Sequence, residues 1–402
     1  MAKAKTFFDV GTYTGNGGLY RVGVPTLRTA YNQQVARSLR FRSSNSAYLS
    51  RTFGSGNRST WTWSGWCKYS NLGTTYRPFL GYAYSLFGIG GNTAQADCLY
   101  FNQSGVWSGY TAAVFRDPSA WYHIVLAIDT TQATASNRVL LYINGVQVTA
   151  FGTATYPAQN ANIQLSSSNN SIGRLQTGTQ FYFDGYLAEV NFIDGQQLTP
   201  SSFGSINAQT GVWQPAKYTG SYGTNGFYLP FTDNSALTSG SNAGLGKDFS
   251  GNGNYWNTNN ISITSGSTYD SMTDVPTLTS ATAANFCTWN PLDVGSSNMA
   301  ASNANLTFTK SNVNFSPIRG TLAVTSGKYY FEIVANTSAL TQIGVCNDYN
   351  IRQNGGDNSM AYAGGIGAAW DSRGYLYRTG GSDAYTNTFT TNDVVMVAFD
   401  AD

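Results

Sequence analysis

The sequence predicts an all-β protein of antiparallel sandwiches. In residues 122–128, large apolar side chains occupy every second position, and His, Val and Ala lie between them. This period of two is typical of a strand with one face on a core. Two β-rich runs then flank Asn144-Gly145, a dipeptide that accepts the positive φ angles of a type I′ hairpin turn. No helical period of comparable length occurs in the 402 residues, so we expect strands and tight turns throughout.

This strand and hairpin belong to one unit, residues 117–151. After a polar loop, residues 139–143 and 146–150 are predicted to pair as the two arms of the hairpin. The large side chains of the preceding strand that we expect on its core face are Tyr122, Ile124, Leu126 and Ile128. Residues 60–68 form a second predicted strand with three tryptophans, which we also expect in the core because large aromatics at strand spacing pack well there.

The composition narrows the possible functions. Hydrophobic residues make up 41% of the chain and charged residues only 10%, against about 25% charged residues in an ordinary soluble protein. Solubility then depends on Asn, Ser, Thr, Gly and Tyr, which suits a protein of an assembly or of the cell exterior. A net charge of +2 without a basic run argues against nucleic acid as a partner.

The four cysteines form no CxxC pair, which argues against a zinc site. We expect all four to be buried thiols, although a disulfide between Cys67 and Cys98 across a sandwich stays open. The first 15 residues carry two lysines and no continuous apolar segment. They therefore predict neither a signal peptide nor a membrane span, and no cofactor is expected.

One set of residues carries a family resemblance. Trp121, His123, the apolar strand ending in Asp129, and the run Leu-Tyr-Ile-Asn-Gly at 141–145 resemble the central signature of the laminin-G-like, concanavalin-A-like jelly-roll family. Residues 182–198 are similar to the closing strand of such a domain. The resemblance implies an antiparallel two-layered sandwich over residues 36–203. It leaves function open, because lectins, adhesins, glycosidases and inert spacers share this fold.

The regions on either side of this predicted domain differ from it in composition. Residues 1–35 are short and Gly-rich, and we interpret them as a docking arm, with a first strand and a disordered leader as the alternative. In residues 204–280, short runs with aromatic residues alternate with Gly- and Asn-rich stretches. Because these aromatic side chains would be exposed in a free linker, the pattern favours an ordered connector with few strands. The SGN motif at 250–252 is similar to the opening of another laminin-G-like repeat that is not completed.

Residues 281–402 form a second β region. The runs GKYYFEI, IGV and DVVMVAFDAD resemble a SPRY domain, another antiparallel sandwich. In that family a further hairpin follows the last motif, so the domain is expected to be truncated and to leave an unpaired edge strand. Either the natural product is longer or a neighbouring chain completes the sheet. The predicted strands cover residues 305–309, 327–334, 342–346, 366–377 and 394–400.

The sequence offers little for catalysis. His123 is the single histidine, and we expect it to be structural and hydrogen-bonded. Glycoside hydrolysis needs two carboxylates, about 5 Å apart for retention and about 6.5–9.5 Å for inversion. The chain has two glutamates, Glu189 and Glu332, which lie in different predicted domains and are better interpreted as structural hydrogen-bond acceptors. An unrecognised Asp pair stays open, but we expect no enzyme.

Binding residues are also sparse. The acids of the first sandwich form no DxDxD cluster, so no metal site is predicted; they are Asp97, Asp117, Asp129 and Asp184. Three loop-proximal aromatics, Tyr76, Trp107 and Tyr110, could stack on a sugar face, and a core position is the alternative for each.

The combined architecture resembles a virion protein of a tailed bacteriophage, with a laminin-G-like sandwich, a connector and a SPRY-like sandwich. The resemblance implies a structural fibre or head or tail appendage, assembled in the host cytoplasm, that binds a host-surface glycan or a neighbouring virion protein. We expect a homo-oligomer, and trimer follows from fibre-like relatives. The alternatives are a cellular surface adhesin and a glycoside hydrolase. The position on the particle and the receptor stay open.

Overall fold

The structure is a computed structural model, and it describes residues 33–166, 169–175, 181–280, 282–295, 299–310, 317–336, 341–346, 367–378, 381–384 and 387–402. Two compact units divide between Asn285 and Phe286. Within the described ranges the elements are β-strands and short 3₁₀ turns, without an α-helix, which confirms the all-β prediction. Residues 1–32 of the predicted docking arm lie outside these ranges.

The first unit is built from short and long strands in sequence. They are β1 (Ser38–Phe41), β2 (Tyr48–Thr52), β3 (Thr60–Tyr69), β4 (Arg77–Tyr82), β5 (Ser85–Ile89), β6 (Cys98–Gln103), β7 (Trp107–Val114), β8 (Trp121–Asp129), β9 (Val139–Ile143), β10 (Val146–Gln147), β11 (Phe151–Thr155), β12 (Asn169–Ile172), β13 (Gly185–Asp194), β14 (Gly204–Ile206), β15 (Trp213–Pro215), β16 (Phe227–Leu229), β17 (Asn257–Asn259) and β18 (Ser271–Met272). The 3₁₀ turns are Ser43–Asn45, Thr93–Gln95, Ala135–Asn137, Gln164–Ser166, Pro200–Ser202 and Gly244–Gly246.

These strands form two antiparallel sheets. The first sheet has the order β10-β9-β8-β3-β13-β1-β18, with β16 also paired to β13. The second sheet has the order β11-β7-β6-β5-β4-β12-β2-β17. One core lies between them, where Trp63 of the first sheet stacks on Phe79 of the second with ring centroids 5.7 Å apart. This is the two-layered sandwich that the sequence predicts.

The central strand β8 is buried on both faces. Ile124, Leu126 and Ile128 enter the sandwich core as predicted. The alternating residues Val125 and Ala127 are buried too, because a second apolar cluster covers the outer face of the first sheet. The residues that cover them come from the chain after β13 and include Phe203, Tyr218, Tyr222 and Tyr228. The prediction of a single buried face is therefore corrected.

The hairpin turn is of the predicted type. Asn144 has φ +47° and Gly145 has φ +84°, and Ile143 pairs with Val146 across the turn. Both central residues are thus in the left-handed region that a type I′ turn requires. The second arm is shorter than predicted, since regular pairing ends at Gln147.

Residues 204–280, predicted to be a connector, add strands to the sandwich itself. Strand β16 pairs with β13, β17 pairs with β2, and β18 pairs with β1. Two charged contacts fasten the last part of this segment: Asp270 accepts hydrogen bonds from Arg40 and Arg42, and all three side chains are buried. The first unit thus extends to Asn285, beyond the boundary expected at residue 203.

Two segments that are distant in sequence lie side by side in this unit. The backbone N–H of Val35 donates to Thr277 Oγ1 at 3.1 Å, and Thr279 Oγ1 donates to the carbonyl of Val35 at 2.8 Å. The segment before β1 and the segment after β18 are therefore hydrogen-bonded to each other.

The second unit is also a set of antiparallel strands. They are β19 (Trp289–Val294), β20 (Met299–Ser302), β21 (Thr307–Lys310), β22 (Ile318–Gly320), β23 (Lys328–Val334), β24 (Gln342–Cys346), β25 (Gly367–Asp371), β26 (Tyr375–Arg378), β27 (Gly381–Ala384) and β28 (Val394–Asp400). A core cluster around Ile343, Phe389 and Val395 joins the β23-β28 pair to the sheet β24-β25-β26-β27. Within the described residues, β28 pairs with β23 alone.

Candidate functional site

The candidate ligand surface of the first unit is an aromatic cluster on the outer face of the second sheet, which we call the platform. It comprises Tyr76, Tyr100, Tyr110 and Phe181, packed on Leu86 and Leu175. Tyr100 pairs with Tyr110 across β6 and β7, so their side chains share one face of the sheet. The ring of Tyr76 lies 4.8 Å from that of Tyr100 and 5.6 Å from that of Phe181.

The platform has a buried base and a half-exposed top. Tyr100 is 3% exposed, whereas Tyr76 and Tyr110 are half-buried. Gly152 lets one ring lie close to the backbone, since a Cβ there would lie 2.2 Å from the ring of Tyr110. Apolar ring surface is therefore held in place and open to solvent on one side.

Polar groups border these rings. Asn102 and Ser108 pair with each other one row along the same sheet face, and both are half-buried. The hydroxyl of Tyr76 donates to Gln95 Oε1 at 3.1 Å. A flat apolar surface edged by amide and hydroxyl groups can stack on the C–H face of a sugar ring and hydrogen-bond its hydroxyls.

The structure separates the three predicted sugar-binding aromatics. Tyr76 and Tyr110 lie in the platform, but Trp107 is 2% exposed and stacks on Phe101 in the sandwich core at 4.7 Å. Trp107 is therefore corrected to a core residue, because β7 begins there and turns its side chain inward.

Sequence reasoning missed Tyr100 and Phe181. Tyr100 sits in the run Cys98–Gln103, where alternation places it opposite Leu99 and Phe101, and that pattern could have revealed it. Phe181 is distant in sequence and follows no strand period, so nothing local indicates it.

His123 is the buried centre of a second network. Its Nδ1 accepts a hydrogen bond from Trp213 Nε1 at 3.0 Å, and its Nε2 lies 2.9 Å from Ser64 Oγ. Its ring packs against Trp66 and Trp213 at centroid distances of 5.0 and 5.9 Å. Burial lowers the pKa of His123 to about 3. The predicted structural role of His123 is confirmed.

This geometry also fixes the tautomer. Because the indole N–H of Trp213 can only donate, Nδ1 of His123 is the acceptor and the proton resides on Nε2. Nε2–H then donates to Ser64 Oγ, so His123 is oriented to give Ser64 a proton and not to remove one. In a catalytic pair the histidine would instead accept the proton of the serine hydroxyl.

The two glutamates lie in different units. Glu332, in β23, accepts a hydrogen bond from the hydroxyl of Tyr330 at 2.7 Å. Glu189, in a bulge of β13 with φ +51°, accepts hydrogen bonds from the Tyr228 hydroxyl and the Gln33 amide. Burial raises the pKa of Glu189 to about 7, although these two donors act in the opposite direction. Both glutamates are hydrogen-bond acceptors, as predicted.

The acidic side chains of the first sandwich accept hydrogen bonds from loop residues. Asp97 accepts from the backbone of Gly73 and from Arg116, and Asp129 accepts from the Thr131 backbone. In the part of the chain that the structure describes, no three His, Cys, Asp or Glu side chains are grouped to bind a metal. All four cysteines are reduced thiols, and only Cys67 and Cys98 are buried, so the prediction is corrected for the half-buried Cys287 and Cys346.

Comparison with protein families gives a match within the first unit. Residues 42–202 match the model of the concanavalin A-like lectin/glucanases superfamily. This agrees with the laminin-G-like resemblance, and the matched stretch covers β2 to β13. No curated protein sequence matches the chain. Among the described residues, no helix is long and apolar enough to cross a bilayer.

Solved structures of similar fold share little sequence with the chain. A candidate carbohydrate-binding protein from Bacteroides ovatus is 16% identical with a TM-score of 0.38, covering 56% of this chain and 59% of that one. Mouse laminin alpha1 domains LG4-5 are 11% identical with a TM-score of 0.29, covering 42% of this chain and 45% of that one. Tailspike protein 2 of Escherichia coli O157:H7 bacteriophage CAB120 is 12% identical with a TM-score of 0.28, covering 41% of this chain and 23% of that one. The chain spans less than two thirds of each structure, and similarity at this level identifies no function.

Proposed function

We propose that this protein is a non-catalytic structural component of a tailed-bacteriophage particle, a fibre or a head or tail appendage, whose first sandwich binds a host-surface glycan. The observation that carries the glycan proposal is the platform, with Tyr76 and Tyr110 half-exposed over a buried Tyr100. Side chains already packed in place lose little entropy when a ligand stacks on them.

The chemistry of the platform suits a neutral sugar. The rings offer apolar faces to the C–H groups of a pyranose, and Asn102 and Ser108 offer an amide and a hydroxyl beside them. The platform rings are uncharged, and the charged side chain whose field reaches Tyr100 is Arg77, which is buried. We therefore expect an uncharged saccharide and an affinity that depends little on salt.

The distribution of carboxylates supports a binding role over hydrolysis. Glu189 and Glu332 are in separate units, and the Asp97 carboxylate accepts hydrogen bonds from Gly73 and Arg116. A glycosidase would need two carboxyl groups facing one bond, at about 5 Å or about 6.5–9.5 Å. The remaining competitors are a cellular adhesin and a virion protein whose platform contacts a neighbouring protein.

The virion location has its support in the sequence. The charged fraction of 10% suits a surface that is largely covered in an assembly, and a concanavalin A-like sandwich precedes a SPRY-like region, as in phage appendage proteins. The partners proposed are other virion proteins and further copies of the same chain, as a trimer, assembled in the host cytoplasm. Electron microscopy of particles labelled against residues 1–35 would locate the protein. Label confined to host cells, with none on particles, would contradict the virion proposal.

A glycan panel tests the binding proposal. The purified chain should bind one class of neutral glycan, and Tyr110→Ala or Tyr76→Ala should weaken that binding about 10-fold or more, as expected for the loss of one stacking contact of about 1.4 kcal/mol. Tyr84→Ala is the matched control, because Tyr84 is 73% exposed and lies outside the platform. Equal loss of glycan binding in all three variants would exclude the platform as the site. Glycan binding that is unchanged by Tyr76→Ala and Tyr110→Ala would exclude it too.

A further inference from the structure

Three reactive side chains meet on the outer face of the first sheet, away from the platform. Nζ of Lys68 lies 2.8 Å from Asp274 Oδ2 and 2.9 Å from Asn285 Oδ1. Lys68 is in β3, Asp274 follows β18, and Asn285 is the last residue of the first unit. We call these residues the Lys68 cluster. One amine thus contacts both a carboxylate and a primary amide, each more than 200 residues from it in sequence.

The surroundings hold the cluster in place. Lys68 is 1% exposed and Asp274 is 3% exposed. The cross-strand neighbours of Lys68 are Trp121 and Tyr186, and Trp121 Nε1 donates to Asp274 Oδ1 at 3.1 Å. The ammonium lies 5.9 Å from the ring centroid of Tyr186. The amine is therefore buried beside aromatic rings, and its contacts include the Asp274 carboxylate and the Asn285 amide.

The amide is oriented as well. Asn285 Nδ2 donates to the carbonyl of Ser119 at 2.8 Å, which leaves Oδ1 facing Lys68 Nζ. Asn285 itself is exposed, so a small molecule released from its side chain has a path to solvent. Holding an amine and an acyl group together converts a slow bimolecular reaction into an intramolecular one.

We propose that Lys68 and Asn285 join in an intramolecular amide cross-link, with Asp274 as the proton carrier. Asp274 Oδ2 accepts a proton from the Lys68 ammonium, and the neutral Nζ attacks Cγ of Asn285. The Nζ–Cγ bond forms, the Cγ–Nδ2 bond breaks, and Asp274 returns its proton to Nδ2 as it leaves. A second proton passes from Nζ to the leaving group, so the products are a secondary amide and an ammonium ion. No oxidant, reductant or other reactant is consumed.

The product suits its surroundings. A neutral amide replaces the buried ammonium, and its N–H can still donate to Asp274 in place of the lost ammonium contact. Asp274 keeps its hydrogen bond from Trp121. The new bond spans 217 residues and ties the last residue of the first unit to the central strand β3. A chain whose four cysteines are all reduced thereby gains a covalent closure.

Mass spectrometry of the purified full chain tests the cross-link. Under denaturing conditions the wild type should be lighter, by one ammonia, than its sequence requires. Trypsin cleaves neither after an acylated Lys68 nor after Arg77, which precedes a proline, so the digest should contain peptide 59–116 joined to peptide 248–310. The Asn285→Ala variant should show its full mass and no joined peptide, and it should melt at a lower temperature. Because Asn285 is exposed, this variant is expected to fold.

Two further variants separate the chemistry from packing. Asn285→Asp should reach the same cross-linked mass as the wild type, because loss of water from an acid gives the same amide as loss of ammonia from Asn. Asp274→Asn should block the reaction, whereas Asp233→Asn, which removes the carboxylate of a more exposed ion pair with Lys247, should not. A folded wild type with its full sequence mass and no joined peptide would overturn the proposal and leave Lys68 and Asp274 as an ion pair only.

Discussion

Gly145 shows how much depends on one residue. It has φ +84°, and a Cβ there would lie 2.5 Å from the ring of Trp213, the residue that donates to His123. Gly145→Val combines backbone strain with displacement of that indole, so we expect it to destabilise the first unit by at least about 1–3 kcal/mol. Thermal and denaturant unfolding would measure the change.

The matched control for Gly145 is Gly105. It has φ +73°, and a Cβ there would meet no other described group within 4 Å. Gly105→Val therefore carries the backbone strain without the clash with Trp213. Equal destabilisation by the two variants would show that Trp213 does not depend on the turn.

Glu189 predicts a pH dependence of stability. Burial raises its pKa to about 7 in the folded protein, from the ordinary value of 4.5. Between these values the folded state holds the proton that the unfolded state releases, so this residue makes stability fall as pH rises from 4.5 to 7. The loss is on the order of 3 kcal/mol.

Glu189→Gln should remove this contribution. The variant should be more stable than the wild type above pH 7, and the difference should vanish as the pH falls toward 4.5. Unfolding by urea at several pH values would measure it. A difference that is constant with pH would mean that Glu189 keeps one protonation state throughout.

Residue-level prediction succeeded where the signal is local. The Asn144-Gly145 turn and the tryptophans of β3 follow from the preferences of single residues and from a period of two. Trp107 lies in a Gly-rich run that resembles a loop near a ligand surface, whereas β7 begins at this residue. The bulge at Glu189 has no sequence signature, since a non-glycine residue with positive φ is stabilised there by Gln33 and Tyr228.

Among the elements, the segment from β17 to β18 is the one that sequence patterns miss. These strands have three and two residues, too short for a visible period, and their partners lie more than 200 residues earlier. Their position is set by buried charge: Arg40 and Arg42 both donate to Asp270. Such pairing depends on the folded sheet and cannot be inferred from neighbouring residues.

Asp270→Asn should therefore loosen this segment. It leaves two buried guanidinium groups without their carboxylate, and removal of one partner from a buried pair costs about 3–5 kcal/mol. Asp233→Asn is the control, because Asp233 and Lys247 form a more exposed pair at 3.4 Å that is worth about 0–1 kcal/mol. Hydrogen exchange of residues 257–275 would report the loosening, and protection equal to that of the control would contradict it.

At the scale of the whole molecule, we predict self-association. Only 10% of residues are charged, and β28 presents Val394 and Met396, which are 46% and 66% exposed. Light scattering at micromolar concentration should give a mass several times that of one chain, with a trimer as the expected state. Met396→Lys should weaken the assembly if this face takes part, because a buried unpaired charge is costly.

The control for self-association is Tyr84→Lys, which adds the same charge at an exposed site of the first unit. A stable monomer in the wild type would exclude the homo-oligomer and leave attachment to a different protein of the proposed particle as the alternative. Weakening by both variants would point to net charge and not to β28.

The hydrogen bonds of Val35 with Thr277 and Thr279 have a consequence for how this sandwich can be inherited. A module whose first and last segments lie side by side can be inserted into a surface loop of another protein without stretching the recipient. Recombination that carries residues 35 to 279 in one stretch would therefore transfer the sandwich together with the hydrogen bonds that close it.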